Sequence, residues 1–235
     1  MSNTGKIWAI VPAAGVGKRV GGDVPKQYLD LNGMPLIQWT LERLLDMDEL
    51  VRIVVVVSAD DQYWPDLHIS QHSRIQRADG GAERCYSVLN GLAALEGQAE
   101  ENDWVLVHDA ARPCVRIEDI RLLASRVQQN NDGGILAMRV RDTMKNSNKD
   151  NKIEGTVNRD SLWHALTPQM FRYARLKSAL QAAIEDGFEV TDEASAMEHA
   201  GHHPLLVEGA SDNIKVTLPD DLALAGFFLQ RQAEE

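Results

Sequence analysis

Cysteines and long apolar runs are scarce in this sequence. Its 235 residues contain only Cys85 and Cys114, and no cluster of cysteine and histidine has the spacing of a zinc site. Two isolated cysteines do not make a disulfide framework, so a reducing, cytoplasmic location is expected. No apolar run approaches the roughly 18 residues that a membrane span needs. The N-terminal apolar stretch is too short for a signal peptide and lacks its flanks, so no signal peptide is expected.

Basic residues are outnumbered by acidic ones. The chain has 24 lysines and arginines against 35 aspartates and glutamates, which gives a formal net charge of -11. Nucleic acids and anionic membrane surfaces bind to basic protein surfaces, so neither is expected to bind this acidic chain. A small polyanion is still compatible with this charge, because a few cations focused in one cleft can hold a nucleotide on an acidic protein.

Short apolar runs alternate with amphipathic stretches along most of the chain. This rhythm is typical of an α/β fold, and it predicts a Rossmann-like, doubly wound, mostly parallel sheet in a single domain over residues 1–235. The predicted strands are Ile7–Val11, Ile53–Val57, Trp104–Val107, Gly134–Val140, Leu205–Val207 and Ile214–Val216. The predicted helices are Pro35–Met47, Glu83–Leu95, Ile117–Gln129, Phe171–Glu185, Asp192–His199 and a C-terminal helix opened by a Thr217-x-x-Asp220 capping pattern.

The rhythm breaks over Arg141–Ala165, which is polar and rich in turn residues. Such a segment cannot bury much of itself. It fits either a loose surface loop or a protruding β-arm, about residues 141–165, that packs on a second copy of the chain.

The first predicted strand runs into the loop PAAGVGKRVGGDVPK, which fails two familiar phosphate-binding patterns. A dinucleotide fingerprint would need a third glycine where Val20 stands, and it would need an acidic residue at the end of the next strand. A Walker loop would need Ser or Thr after Gly17-Lys18, but Arg19 follows. The loop therefore carries neither signature.

The composition of the same loop still favours a phosphate site. Small residues between a strand and a helix, from Pro12 to Gly17, let backbone N–H groups approach an anion. Lys18, Arg19 and Lys26 add full positive charges. Three cations suit a triphosphate, whose charge must be offset as it reacts.

A second glycine turn, DGGAERCYS, precedes the helix predicted from Glu83. Gly80 and Gly81 place backbone groups at the start of this helix, and Ser87 lies in its first turns. Backbone groups in such a turn are suited to reading the edge of a base. Taken alone, the pair of glycines is equally typical of a plain tight turn.

Charged residues follow the predicted strand Trp104–Val107 directly. Open α/β sheets bind ligands beyond the carboxyl ends of their strands, which is where Asp109 and Arg112 lie. A carboxylate there, together with phosphate oxygens, is what Mg²⁺ prefers, so Asp109 is the candidate metal ligand. We interpret the neighbouring His108 as a core residue, because adjacent strand residues point to opposite faces.

The later motifs contain polar residues but no catalytic triad and no pair of acids. Thr191 fits a helix cap as well as a ligand, whereas Lys215 lies in an apolar stretch and must find an anion or solvent. A nucleophile that is already anionic needs no general base. A phosphate monoester is such a nucleophile, because its second pKa is about 6. Its attack on a nucleoside triphosphate would need mainly positioning and positive charge.

Eight motifs occur in the order and spacing of one enzyme family: PAAGVGKR, PKQY, DGGAER, VHDAARP, RDTMK, LWHALTPQ, TDEASA and DNIKVT. Through them nearly the whole chain closely resembles the 2-C-methyl-D-erythritol 4-phosphate cytidylyltransferases of the non-mevalonate isoprenoid pathway. The resemblance implies a homodimer of α/β nucleotidyltransferase domains that depends on Mg²⁺. It also implies that CTP is joined to methylerythritol phosphate with release of pyrophosphate.

The resemblance implies three groups of site residues. Nucleotide-binding residues would be Pro12, Ala13, Ala14, Gly15, Gly81 and Ser87, to which the loop chemistry adds Gly17 and Lys18. Catalytic cations would be Arg19, Lys26 and Lys215. Residues for the acceptor substrate would be Asp109, Arg112, Thr143, Thr191 and Lys215, with Arg159 reaching the neighbouring subunit's site from the arm.

One residue departs from the family pattern, and three alternative functions are left open by the sequence. Some relatives carry an acidic residue where this chain has Ala82, which leaves the nucleotide preference less certain. A ribitol-5-phosphate cytidylyltransferase would share the first loop and differ in its acceptor. A nicotinamide-dependent dehydrogenase is disfavoured by the missing third glycine. A non-catalytic nucleotide-binding regulatory protein would keep the loop and lack turnover.

Overall fold

The computed structural model describes residues 5–15, 24–130 and 132–235. Its helices are α1 (Leu36–Leu45), α2 (Arg84–Ala93), α3 (Ile117–Val127), α4 (Tyr173–Glu185), α5 (Glu193–His199) and α6 (Pro219–Glu234). Its strands are β1 (Ile7–Pro12), β2 (Asp30–Leu31), β3 (Met34–Pro35), β4 (Leu50–Val57), β5 (Ile75–Asp79), β6 (Trp104–Val107), β7 (Gly134–Arg139), β8 (Met144–Ser147), β9 (Ile153–Val157), β10 (Trp163–Arg172) and β11 (Leu205–Glu208). Short 3-10 turns span Lys26–Tyr28, Trp64–Asp66 and His68–Gln71.

A seven-stranded sheet in the order β11-β7-β10-β6-β1-β4-β5 forms the centre of the fold. β1 pairs in parallel with β4 and β6, β4 with β5, and β7 with β11. Among the described strands of this sheet, β10 alone runs antiparallel to its neighbours, which are β6 and β7. The predicted α/β fold with a mostly parallel sheet is confirmed.

Both faces of the sheet are covered by helices. Alternate residues of β1 show this, because Ala9 and Val11 belong to one apolar cluster while Trp8 and Ile10 belong to the other. The first cluster includes apolar residues of α1 and α3, and the second those of α2, α4 and α5. A strand that is buried on both sides explains the unbroken apolar character of the β-branched run in β4.

Close packing of α2 on the sheet depends on a glycine. A Cβ atom at Gly91 would lie 2.7 Å from Cγ2 of Ile10 and 3.1 Å from Cγ2 of Val56. Without a side chain there, α2 can approach β1 and β4 closely.

The predicted strand Ile214–Val216 is wrong. These residues are described, yet they belong to none of the sheets, although Val216 donates its N–H to the carbonyl of Ala111 at 2.8 Å. Its partner lies in the loop after β6, so no ladder can extend from this contact. The apolar character of the segment comes from packing, because Val216 is fully buried against α6.

Two predicted helix starts are also corrected. Phe171 and Arg172 end β10, and α4 begins at Tyr173. At the C-terminal helix the capping acid is Asp221 rather than Asp220, because its carboxylate accepts the N–H groups of Thr217 at 2.7 Å and Leu218 at 2.8 Å. α6 accordingly begins at Pro219, a position where a missing N–H costs nothing.

The polar segment after β7 forms a β-hairpin. β8 and β9 pair antiparallel in a separate two-stranded sheet, and Ile153 on it is 68% exposed. The arm was predicted to extend to Ala165, but Trp163 already pairs with Arg139 of β7. The last residues of the predicted arm therefore belong to the central sheet.

Within the described ranges, none of the helices combines the length and apolar character that a membrane crossing requires.

Candidate active site

A cleft of about 210 Å³ opens where β1 and β6 end. Its walls come from four segments of the chain: the loop after β1, the second glycine turn, the loop after β6 and the chain before α6. The lining residues are Pro12, Ala13, Ala14, Gly15, Lys26, Gln27, Gly81, Ala82, Glu83, Arg84, Ser87, Asp109, Ala110, Ala111 and Lys215. The carboxyl edge of a parallel sheet is the expected place for a ligand site in this fold.

The loop after β1 is fixed by backbone contacts from both sides. The N–H of Ala13 donates to the carbonyl of Val56 at 2.7 Å, and the carbonyl of Ala13 accepts from the side-chain amide of Gln27 at 2.8 Å. A Cβ atom at Gly80 would lie 2.2 Å from Cβ of Ala14, so only glycine lets the two turns meet. The two predicted nucleotide-binding turns are therefore neighbours in space.

Ser87 stabilises the second turn from within. Its hydroxyl accepts from the N–H of Gly81 at 3.1 Å and donates to the carbonyl of Glu83 at 3.2 Å. The side chain is buried, at 3% exposure. Through these two bonds Ser87 holds Gly81 at the wall of the cleft.

Three cationic side chains surround Asp109. Lys215 Nζ lies 2.8 Å from Oδ2 of Asp109, Arg84 Nη2 lies 3.3 Å from Oδ1, and Arg112 Nε lies 3.4 Å from Oδ2. Burial alone would raise the pKa of Asp109, but the charges of Arg84 and Lys215 outweigh burial and hold this pKa well below its usual range. Asp109 is therefore an anion at neutral pH, and Lys215 both pairs with this anion and reaches solvent, since its side chain is 39% exposed.

Arg84 connects Asp109 to a second buried acid. Its guanidinium also donates to both carboxylate oxygens of Glu193, at 2.6 and 3.0 Å, and Glu193 has no exposed surface. Neither Arg84 nor Glu193 was among the predicted site residues. The sequence does indicate that Glu193 needs a partner, because a glutamate close to the apolar residues Ala194, Ala196 and Met197 must pair with a cation if it is buried.

A buried hydrogen-bond network supports the loop after β6. The N–H of Asp109 donates to Oγ1 of Thr167 at 3.0 Å, and the same hydroxyl lies 3.0 Å from Nδ1 of His108. Arg112 donates to the carbonyl of Asn213 at 2.7 Å, and Asn213 donates to the carbonyl of Thr167 at 2.8 Å. These bonds tie β10 and the segment before Lys215 to the position of Asp109.

His108 is a core residue, as predicted. Its ring has no exposed surface, and its Nε2 lies 3.0 Å from the carbonyl of Arg112. Burial lowers the pKa of His108 to about 4, so the ring is neutral near pH 7.

Several predicted site residues lie apart from the cleft. Arg112 is buried behind Asp109, whereas Thr143 and Arg159 are exposed at the base of the hairpin, where Arg159 donates to the carbonyl of Arg141. Thr191 is exposed before α5, whose cap is Asp192, and its N–H donates to Oγ of Ser195 at 3.1 Å. The predicted residues Gly17, Lys18 and Arg19 lie outside the described residues.

Among the described residues, no group of three or more His, Cys, Asp or Glu side chains could hold a metal ion. Asp109 contributes a single carboxylate to the cleft. This donor set fits a cation held partly by phosphate oxygens of a ligand, because Mg²⁺ often takes one or two carboxylates and keeps its other positions for phosphate and water.

A mostly parallel sheet flanked by helices, with cations at its carboxyl edge, has the α/β nucleotidyltransferase fold of the solved structures that it resembles. The family profile for 2-C-methyl-D-erythritol 4-phosphate cytidylyltransferase matches residues 7–231. The chain belongs to this family. The resemblance predicted from the eight motifs is thus confirmed.

Individual relatives agree with the family match. The 2-C-methyl-D-erythritol 4-phosphate cytidylyltransferase of Vibrio vulnificus strain YJ016 is 53% identical over 226 residues, covering 96% of this chain and 95% of the relative. That of Photobacterium profundum is 48% identical, covering 99% of this chain and 100% of the relative. The crystal structure of the Francisella tularensis enzyme of the same name superposes with a TM-score of 0.84 at 37% identity, covering 95% of this chain and 99% of that one.

Proposed function

We propose that this protein transfers CMP from CTP to 2-C-methyl-D-erythritol 4-phosphate. The products are 4-diphosphocytidyl-2-C-methyl-D-erythritol and pyrophosphate, in the non-mevalonate route to isoprenoid precursors. The observation that carries the proposal is the cleft of this family member, in which Lys26, Arg84 and Lys215 line the same space as Asp109.

The proposed reaction needs no general base. The phosphate of the acceptor is largely a dianion near neutral pH, because its second pKa is about 6. One of its oxygens attacks the α-phosphorus of CTP in line, and a new P–O bond forms. The bond from the α-phosphorus to the bridging oxygen breaks, and pyrophosphate leaves with the electron pair. Positioning and positive charge supply the catalysis.

We assign the nucleotide to the two turns that meet at Gly80. The main chain of Pro12 to Gly15 and of Gly81 would hold cytosine and ribose, with Ser87 fixing the second turn. Lys26 lines the same cleft and would face the triphosphate. Gly17, Lys18 and Arg19 complete this proposal on the strength of the loop's chemistry alone.

We assign the acceptor to the side of the cleft that holds Asp109. Lys215 and Asp109 line the cleft and would contact the acceptor, and Arg112, buried behind Asp109, would support it through its ion pair with Asp109. Thr191 would approach from the chain before α5, and Thr143 from the base of the hairpin. Arg159 would serve the site of a second copy, since it does not line the cleft of its own chain.

Magnesium is the proposed cofactor. Asp109 is the residue that would hold it, together with the phosphates of CTP. When bound, the ion would supply positive charge against the triphosphate.

A homodimer in the cytoplasm is the proposed state of the protein. The hairpin exposes Ile153 and Met144 away from the main sheet, which suits packing on a second copy. The two cysteines are free and buried, as a reducing compartment allows.

Pyrophosphate release tests the activity. Purified protein with CTP, Mg²⁺ and 2-C-methyl-D-erythritol 4-phosphate is expected to release one pyrophosphate per acceptor consumed. Turnover with ribitol 5-phosphate in place of that acceptor would reassign the substrate. CTP binding without turnover on either acceptor would support a regulatory protein, and tight NADH binding in a titration would support a dehydrogenase.

A further inference from the structure

Glu193 and Arg84 form an ion pair at the back of the cleft, and the proposed reaction gives Glu193 no role. Glu193 is the first residue of α5 and has no exposed surface, whereas the side chain of Arg84 is 31% exposed and lines the cleft. The pairing is bidentate, at 2.6 and 3.0 Å. Two parallel bonds fix the plane of a guanidinium as well as its place.

The position of Glu193 is itself tightly defined. Gln169 of β10 donates to Asp192 Oδ2 at 2.8 Å and accepts from the N–H of Ala194 at 2.8 Å. Asp192 caps α5 by accepting from the N–H of Ser195 at 2.9 Å. The residues on both sides of Glu193 are thus bonded to the central sheet, so its carboxylate is a fixed anchor.

Arg84 links the fixed carboxylate of Glu193 to Asp109. Its Nη2 atom donates both to Oε2 of Glu193 at 3.0 Å and to Oδ1 of Asp109 at 3.3 Å. The opposite oxygen of Asp109 faces Lys215 and Arg112. Asp109 is therefore clamped between cations from α2, from its own loop and from the chain before α6.

We propose that Glu193 is a positioning residue, which holds Arg84 so that Arg84 sets the orientation of Asp109 for the acceptor. Without Glu193, the guanidinium would be available to pair with Asp109 through both nitrogens or to swing toward ligand phosphates. Either movement would change the side of the cleft assigned to the acceptor and leave the turns around Gly80 in place. The inference rests on the acceptor role proposed for Asp109.

Three roles for Glu193 predict different kinetics. A positioning role predicts that Glu193→Gln lowers kcat or raises KM for the acceptor, by roughly tenfold to a hundredfold in kcat/KM, with KM for CTP within about threefold of wild type. A purely electrostatic role predicts a lower KM for both anionic substrates, because a negative charge is removed. A purely structural role predicts fewer folded molecules with both KM values unchanged.

The experiment compares Glu193→Gln and Arg84→Lys with wild type. Each substrate is varied in turn, and the folded fraction is measured at the assay temperature by circular dichroism. Lysine keeps the charge of Arg84 but lacks the fork that spans two carboxylates, so Arg84→Lys is expected to show the same acceptor defect.

Asp103→Asn is the matched control. Asp103 is also a buried carboxylate, at 3% exposure, and it accepts bonds from Lys6 N at 2.8 Å and Trp8 Nε1 at 2.9 Å. Asp103 precedes β6 and Asp109 follows β6, so the two acids lie at opposite ends of one strand. Its loss is expected to lower the melting temperature and leave both KM values unchanged.

A double-mutant cycle with Asp109→Asn gives the deciding readout. If Glu193 acts through Asp109, the double variant loses little more kcat/KM than Asp109→Asn alone. Additive losses, a raised KM for CTP, or an effect fully explained by the folded fraction would overturn the inference. Wild type measured in the same assay separates this failure from failure of the proposed function, because an inactive wild type contradicts the function itself.

Discussion

Asp109 shows how one side chain can organise a site without performing the chemistry. Its carboxylate is paired with Lys215, Arg84 and Arg112, so the acid and three positive charges hold one another in place. Two phosphate-bearing substrates in one cleft bring a large negative charge, and cations that are already in place need little reorganisation when it arrives. The acid thus orders the cations for their anionic ligands.

Lys26 is the residue whose loss should isolate catalysis from folding. We expect Lys26→Ala to lower kcat/KM by about 10²–10³, because the variant removes the charge that we assign to the triphosphate. The melting temperature should change little, since the lysine lies in the short turn at the edge of the cleft. Steady-state kinetics and thermal unfolding measure the two effects.

Lys177→Ala is the control for this change. Lys177 is paired with Glu96 on the surface, and neither residue lines the cleft. Its variant should keep full turnover. Our role for Lys26 is wrong if Lys26→Ala also keeps full turnover or unfolds.

His108 should make stability depend on pH in a defined window. The folded protein keeps it neutral down to a pKa of about 4, whereas the ordinary value is 6.5. The unfolded chain therefore binds more protons between these values, and stability falls as the pH drops through the window. The loss amounts to about 3 kcal/mol by pH 4.

Urea unfolding at pH 7.5 and at pH 4.5 measures this loss. In His108→Gln the part of the pH dependence that belongs to the imidazole should vanish, although the variant is less stable overall. His203→Gln, at an exposed position, should keep the wild-type slope. An unchanged slope in His108→Gln would assign the titration to other groups.

At the scale of elements, the contact between α2 and the sheet depends on Gly91. We expect Gly91→Ala to destabilise the fold by about 1–3 kcal/mol, because the new methyl group would overlap Ile10. The gain in helix propensity from alanine, roughly 1 kcal/mol, is too small to offset this overlap. The free energy of unfolding in urea measures the net effect.

Gly226→Ala in α6 provides the comparison. There the nearest atoms are the amide end of Asn32, at 3.0 Å, which can rotate away. Its effect should stay within about 1 kcal/mol. Equal losses at the two glycines would contradict the packing argument for α2.

Strands that are apolar throughout could be predicted from the sequence, and strands with mixed character could not. β4 and β6 are buried on both faces and were predicted from their unbroken apolar runs. β5 reads Ile-Gln-Arg-Ala-Asp and lies at the sheet edge, so its pattern carries little signal. β10 buries Thr167 and Gln169 as hydrogen-bonding groups, and these polar residues concealed a central strand.

The residues of the candidate site also divide into those that a local sequence pattern predicts and those that it does not. Asp109, Lys215 and the glycine turns could be predicted because they follow strands or break an apolar pattern. The partnership of Arg84 with Glu193 joins residues 109 positions apart, and no local pattern encodes such a contact. Only the packing of α5 against the sheet brings them together.

At the scale of the whole molecule, the role proposed for Arg159 predicts a site shared between two copies. We expect Arg159→Ala and Lys26→Ala to be inactive separately and to recover activity when mixed. Random exchange would make about half of the dimers mixed, with one intact site each, so about a quarter of wild-type activity should return. A coupled pyrophosphate assay after subunit exchange measures it.

The mixing experiment needs two controls, one for dimer assembly and one for subunit exchange. Sedimentation must show that Arg159→Ala remains dimeric, because a loss of assembly would mimic a loss of chemistry. Exchange itself can be followed with differently tagged copies. Verified exchange without any recovered activity would argue that each copy builds its site alone.

β10 has a mechanical consequence for the hairpin that precedes it. The strand continues from the hairpin into the middle of the sheet, with β7 on one side and β6 on the other. A force that pulls on the hairpin along this strand loads both ladders in shear, because their hydrogen bonds lie across the strand. The bonds then resist together instead of opening one after another. The hairpin is therefore firmly attached to the central sheet, and Asp109 follows one strand of that same sheet.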